Sequence, residues 1–242
     1  TNLLGRIASV RDTLSAFFSD GKSGVPMRNK ALPFGVSAIL LVASQTPLAQ
    51  VDKAGILAEL NSDYDRYQQI AHTLWESPEL GYLELQSAEL LKESLAEEGF
   101  TIKSGVAGIP TAFTASFGSG GPVIGILGEY DALPGMSQAA VPYEEAYESG
   151  APGQACGHHL FGTASLAAAV AAKNWLQETG TDGTIRFYGT PAEEGGSGKV
   201  YMVRAGLFND VDAVISWHAS DANTANPGTN LATISGQFRF KG

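Results

Sequence analysis

Five side chains in this sequence are suited to reaction chemistry: Cys156, His158, Glu193, Glu194 and His218. They lie in three short segments, Cys156-Gly157-His158, Glu193-Glu194 and His218. Together they offer a thiol, two imidazoles and two adjacent carboxylates. A divalent-metal site that activates water needs soft and borderline ligands, plus one carboxylate left over as a base. Such an ion lowers the pKa of its water to roughly 7 and polarises a carbonyl. A carboxylate within hydrogen-bond reach then takes the proton. Adjacent glutamates can divide that labour, one turned to the metal and one to the water. Asp131 is a candidate to orient a ligating imidazole from behind.

Plainer alternatives stand beside each of these. A lone cysteine is often an inert buried thiol. A Glu-Glu pair is most often solvated surface. A histidine ending a buried strand can be structural, and Asp131 before Ala-Leu-Pro can be a turn former. His72 reads as structural on its helix, and Trp75 and Trp217 read as core.

The elements that would carry these residues follow from apolar periodicity. Residues 52–75 repeat at helical spacing, as do 83–98, with Gly99 as a C-terminal cap. Residues 111–117 alternate as a strand, and 123–128 form a near-continuous apolar one, as a buried strand does. Residues 132–155 have no period and read as a long loop, a place where function often resides. An Ala-rich helix over 159–178 comes next, then a strand at 184–189 and a short helix at 197–205. Strands at 211–217 and 230–240 complete the pattern. Alternating strands and helices predict an α/β fold, a mostly parallel sheet flanked by helices. In such sheets ligands collect beyond the carboxyl ends of the strands. Strand 123–128 runs into Glu129 and Asp131, strand 184–189 into Glu193 and Glu194, and strand 211–217 into His218. Cys156 and His158 precede the Ala-rich helix and can reach the same edge.

The chain has 242 residues, 44% hydrophobic and 17% charged, enough for one large or two small globular domains. A net charge of −10 and a pI near 4.8 argue against nucleic acid or an anionic membrane surface as partner. With one cysteine, no intramolecular disulfide is possible. Residues 27–50 show a different order: Met27, the cations Arg28 and Lys30, an apolar run from Ala31 to Ala43, then Leu48-Ala49-Gln50. That is the pattern of a secretory signal, with a run too short to span a membrane. Residues 1–49 are therefore set apart as an upstream, signal-like region. The mature chain is expected to be exported, periplasmic or secreted, or cytoplasmic if Met27 starts no signal.

Four segments carry a resemblance: Gly128-Glu129-Tyr130-Asp131-Ala132-Leu133-Pro134, Ala155-Cys156-Gly157-His158, Gly189 to Gly196 continuing to Lys199, and Ser216-Trp217-His218. With the stretch from Leu74-Trp75-Glu76 to Leu80-Gly81-Tyr82, they resemble the M20 metallopeptidase and amidohydrolase family. They look most like its aminobenzoyl-glutamate hydrolase branch. The resemblance implies a zinc-peptidase-like catalytic domain over residues 50–229 and the start of a lid domain at 230–242. It implies two divalent ions held by Cys156, His158, Glu194 and His218, with Glu193 as general base and Asp131 as orienter. Zinc or manganese is implied; thiolate softness favours zinc, the branch manganese. The implied substrates are small N-acyl or aminobenzoyl amino acids, and the implied assembly is a homodimer through the lid. Two departures stand out. His159 occupies a position where relatives carry Asp or Asn. The chain ends at Gly242, before most of a lid and a last histidine ligand, so the resemblance implies a truncated chain, inactive alone. A non-catalytic exported metal- or solute-binding relative is the alternative. A nucleophile-base pair of Cys156 and His158 is disfavoured, because residues two apart need an unusual turn to meet.

Overall fold

A computed structural model describes residues 52–225 and 236–241. The signal-like segment and residues 230–235 of the expected last strand lie outside the described residues. Residues 236–241 carry no regular secondary structure, so the expected strand does not extend into them.

Helix α1 (Lys53–Ser62) starts where the Asp52 carboxylate accepts a hydrogen bond from the Ala54 amide. Helix α2 (Tyr64–Glu76) follows after a break at Asp63. The periodicity predicts one continuous helix here. Apolar spacing runs across the break undisturbed, whereas Asp is a poor interior helix residue. Then come α3 (Leu85–Glu97), β1 (Thr101–Ser104), a short 3-10 turn at Val106–Gly108, β2 (Phe113–Ser119) and β3 (Val123–Gly128). After a long loop come α4 (His158–Thr179), β4 (Gly183–Gly189), the single turn α5 (Glu193–Gly196), α6 (Gly198–Arg204) and β5 (Ala213–Ile215). Strand β1 has no counterpart in the sequence pattern; at four residues it is too short for alternation to register.

The five strands form one sheet in the order β1-β2-β4-β3-β5. Strand β3 pairs in parallel with β4 and with β5. Strand β2 is antiparallel to β4 and to β1. The short Gly120-to-Pro122 connection turns the chain back after β2, and β4 then inserts between β2 and β3. Both sheet faces are covered, and the two-residue side-chain period assigns residues to each. Ile126 and Phe187 point into a cluster with Leu74, Leu91, Leu95, Leu166 and Val170 of α2, α3 and α4. Their neighbours Leu127 and Tyr188 join Met202, Leu207 and Phe208 on the opposite side. Burying Phe187 alone contributes about 1.5–3 kcal/mol.

The loop from Glu129 to Gly157 is irregular but pinned, with reciprocal hydrogen bonds between Leu133 and Gly153 of 3.0 Å. Helix α4 packs hard against the end of β3. A Cβ on Gly162 would lie 2.7 Å from the Glu129 carbonyl oxygen, so only glycine permits that approach. Among the described residues, no helix is long and apolar enough to cross a membrane.

Candidate metal centre

The carboxyl ends of β3, β4 and β5 and the N-terminus of α4 meet at one edge of the sheet. Glu129 and Asp131 leave β3, Glu193 and Glu194 follow β4 after Thr190-Pro191-Ala192, and His218 follows β5. Gly157, at φ 82°, turns the chain into α4 and lets Cys156 and His158 flank the turn. All six residues expected at the site come to this edge.

His158 is fully buried at its centre. Its Nδ1 lies 2.9 Å from Asp131 Oδ1 and 3.0 Å from the Asp131 carbonyl oxygen. Both are acceptors, so Nδ1 carries the proton and Nε2 faces the cluster. The second Asp131 oxygen accepts from the Glu194 amide at 2.7 Å, tying the two segments together. His218 Nδ1 meets the Ala219 carbonyl at 2.8 Å, which leaves its Nε2 turned to Cys156 Sγ at 3.3 Å.

Two groups of donor atoms result, each with its members within 4.8 Å of one another: Cys156, His158 and His218, and Glu129, His158 and Glu193. Four carboxylates crowd this volume and call for positive charge. Burial, reinforced by Glu194 and its acidic neighbours, pushes the Cys156 thiol up to about 12. Burial works to lower the His158 pKa, but Asp131 and Glu129 outweigh it and raise it to about 10. Burial and then the Glu129 charge raise the Glu193 carboxyl above its ordinary value. The Glu129 carboxyl is held low: burial opposes this, but His158 and Lys199 prevail.

These residues fit a divalent cation. His158 Nε2, Glu129 Oε2 and Glu194 Oε1 are buried with no hydrogen-bond partner. His158 Nε2 and Glu129 Oε2 approach to 2.8 Å, but off the hydrogen-bond direction. Buried unpaired donors are costly unless something binds them. Sulfur, imidazole nitrogen and carboxylate oxygen together suit zinc or a neighbouring transition metal.

Several residues differ from expectation. Glu129, expected only as a strand-end acid, lies inside the cluster and contacts Lys199 Nζ with its other oxygen. Its place at a strand end was the sequence signal. His159 belongs to neither donor group. Its ring lies edge-on to Trp75 at 5.1 Å, and burial followed by the His158 charge pulls its pKa down to about 4. Trp75 is half-buried on the wall of an open pocket of about 480 Å³ with His72 and Leu160, not in the core. Trp217 is 39% exposed and sits against Phe161 at the site's edge, also outside the core.

Helices on both faces of a sheet, with metal-type donors gathered beyond its parallel strands, make this an α/β domain with a candidate metal centre. Residues 125–235 match Peptidase family M20/M25/M40, and the chain belongs to the M20 family. It is 50% identical over 185 residues to one of the subunits of the p-aminobenzoyl-glutamate hydrolase of Escherichia coli, covering 76% of this chain and 38% of that protein. It is 32% identical over 170 residues to the hippurate hydrolase of Campylobacter jejuni, covering 67% of this chain and 42% of that one. Among solved structures, a dinuclear metal-binding M20 peptidase from Bacillus subtilis superposes with a TM-score of 0.58 at 28% identity. That match covers 66% of this chain and 44% of the other. The chain thus spans about two fifths of the length of these curated relatives.

Proposed function

We propose that the chain is a metal-dependent amidohydrolase that cleaves the amide bond of small N-acyl or aminobenzoyl amino acids. The convergence of a thiol, two imidazoles and several carboxylates, with buried donor atoms left unpaired, carries this reading. The names of the E. coli and C. jejuni relatives, hydrolases of p-aminobenzoyl-glutamate and hippurate, support the substrate class.

In this reading Cys156, His158, Glu194 and His218 hold two divalent ions, zinc or manganese. When bound, the ions acidify a water and polarise the scissile carbonyl. Asp131 accepts a hydrogen bond from the His158 Nδ1–H and keeps Nε2 directed at the site. Glu193, with its side chain 46% exposed, takes the proton from the attacking water and passes it to the leaving amine. Its raised pKa suits a group that must accept and then return a proton near neutral pH.

The decisive measurement is Glu193→Gln in the purified protein. It is expected to keep the wild-type metal content and lose turnover of p-aminobenzoyl-glutamate by about 10²–10⁴-fold. A wild-type rate in that variant would sink the mechanism. Metal binding by the wild-type protein with no turnover would instead favour a non-catalytic binding relative.

The signal-like order of residues 27–50 supports export, which cell fractionation tests. For assembly, the family resemblance supports a homodimer, whereas the E. coli relative is named as one subunit of its hydrolase, which points to unlike subunits. Light scattering on the protein expressed alone separates these.

A further inference from the structure

We propose that Glu129 is itself a ligand of the divalent ion that His158 binds, with Lys199 fixing its orientation. This inference rests on the metal-dependent reading above. Four ligands, one base and one orienting aspartate leave Glu129 with nothing to do, yet it is only 5% exposed and inside the cluster. Burying a carboxylate is costly unless both its charge and its oxygens find partners, and Lys199 engages only one of the two oxygens. One of its oxygens, Oε1, meets the Lys199 ammonium. The other, Oε2, is buried, has no hydrogen-bond partner and lies 2.8 Å from His158 Nε2.

The geometry of His158 forces the next step. Its Nδ1 is committed to Asp131, so Nε2 is its one free donor. That nitrogen belongs to both donor groups at the site but can bind only one ion. Whichever ion it takes, Glu129 Oε2 sits beside the same lone pair. The carboxylate cannot retreat to solvent: its backbone carbonyl is packed against Gly162 and its far oxygen is held by Lys199. It must therefore face the ion. Lys199 compensates part of the charge that a further carboxylate brings to the site, which keeps the cluster from repelling itself when empty.

The test is titration calorimetry with Mn²⁺ on metal-stripped wild-type protein and on Glu129→Gln, together with the thermal unfolding of each. The amide keeps the shape and a hydrogen-bonding oxygen for Lys199 but ligates poorly. The expected result is a folded variant in which one ion binds roughly 10- to 100-fold more weakly or is lost. Unchanged affinity and stoichiometry would overturn the proposal while leaving the metal-dependent reading intact. If the wild-type protein binds no Mn²⁺ or Zn²⁺, both fail together. Should the Gln variant not fold, Glu129→Asp withdraws the oxygen by roughly 1.5 Å, one carbon–carbon bond. The same weakening is then expected, and wild-type affinity would again overturn the assignment.

Discussion

His158 is pinned between Asp131 and Glu129, and Cys156 is pressed against Glu194; both side chains hold their protons far above their ordinary pKa values. In the metal-free protein the His158 imidazolium supplies positive charge that the surrounding carboxylates demand, while Cys156 stays a neutral thiol. In the proposed site a divalent ion must displace both protons, because thiolate and neutral imidazole are the ligating forms. Metal affinity should therefore rise steadily with pH between about 6 and 9, with proton release on binding. Titration calorimetry in buffers of different ionisation enthalpy measures both quantities. Affinity independent of pH across that range would mean that neither Cys156 nor His158 is a ligand.

The segment Glu79 to Glu84 acts as a brace for the turn that carries Glu193 and Glu194. The fully buried Glu84 carboxylate accepts from the Ala192 amide at 2.8 Å and from the Thr111 hydroxyl at 2.9 Å. The Tyr82 hydroxyl donates to the Gly196 carbonyl at 2.5 Å, at the other end of the turn. The Ala132 amide donates to the Glu79 carbonyl at 2.8 Å, reaching the loop of Asp131 as well. Ala192 needs this support, since a φ of 55° costs a residue with a Cβ roughly 1–2 kcal/mol. Replacing Glu84 with Ala strands two buried donors and should lower stability by about 1–3 kcal/mol. Glu84→Gln retains an acceptor for Ala192 and should cost less. We expect kcat to fall in the same order, with KM little changed. Urea unfolding and steady-state kinetics on the pair check this, and a fully active Ala variant would show that the brace is dispensable.

Helices α2, α3 and α4 are joined at one charged node, with Lys173 fifteen residues along α4 from His158. Glu98 at the end of α3 contacts Arg66 of α2 and lies 2.9 Å from Lys173 Nζ of α4. Burial would raise the Glu98 pKa, but the hydrogen bonds and charges of Arg66 and Lys173 outweigh it and hold it below 4.5. A carboxyl with a depressed folded pKa stabilises above its unfolded value, and that contribution disappears as pH falls through the folded pKa. Glu98→Gln should thus be less stable than wild type at neutral pH by about 1–3 kcal/mol. The gap should close as pH falls through the depressed folded pKa, where the wild-type carboxyl also becomes neutral. Thermal unfolding across that range measures it; a gap that widens in acid would contradict the depressed pKa.

Local pattern was enough to locate the parallel core of the sheet, the long helix α4 and the strand ends on which Asp131, Glu193, Glu194 and His218 sit. Apolar runs mark β3 and β4, and a reactive residue after each run needs no knowledge of distant contacts. Periodicity was blind to the break at Asp63 and to β1, because one interrupted residue and a four-residue strand barely disturb a pattern. Which of several acids share one volume became visible in the folded chain alone. Glu129 and Lys199 lie 70 residues apart in sequence, and nothing near either announces the other. The brace through Tyr82 and Glu84 spans more than a hundred residues in the same way. Pairing across such distances is set by how the helices settle on the sheet, a packing outcome that no local pattern encodes.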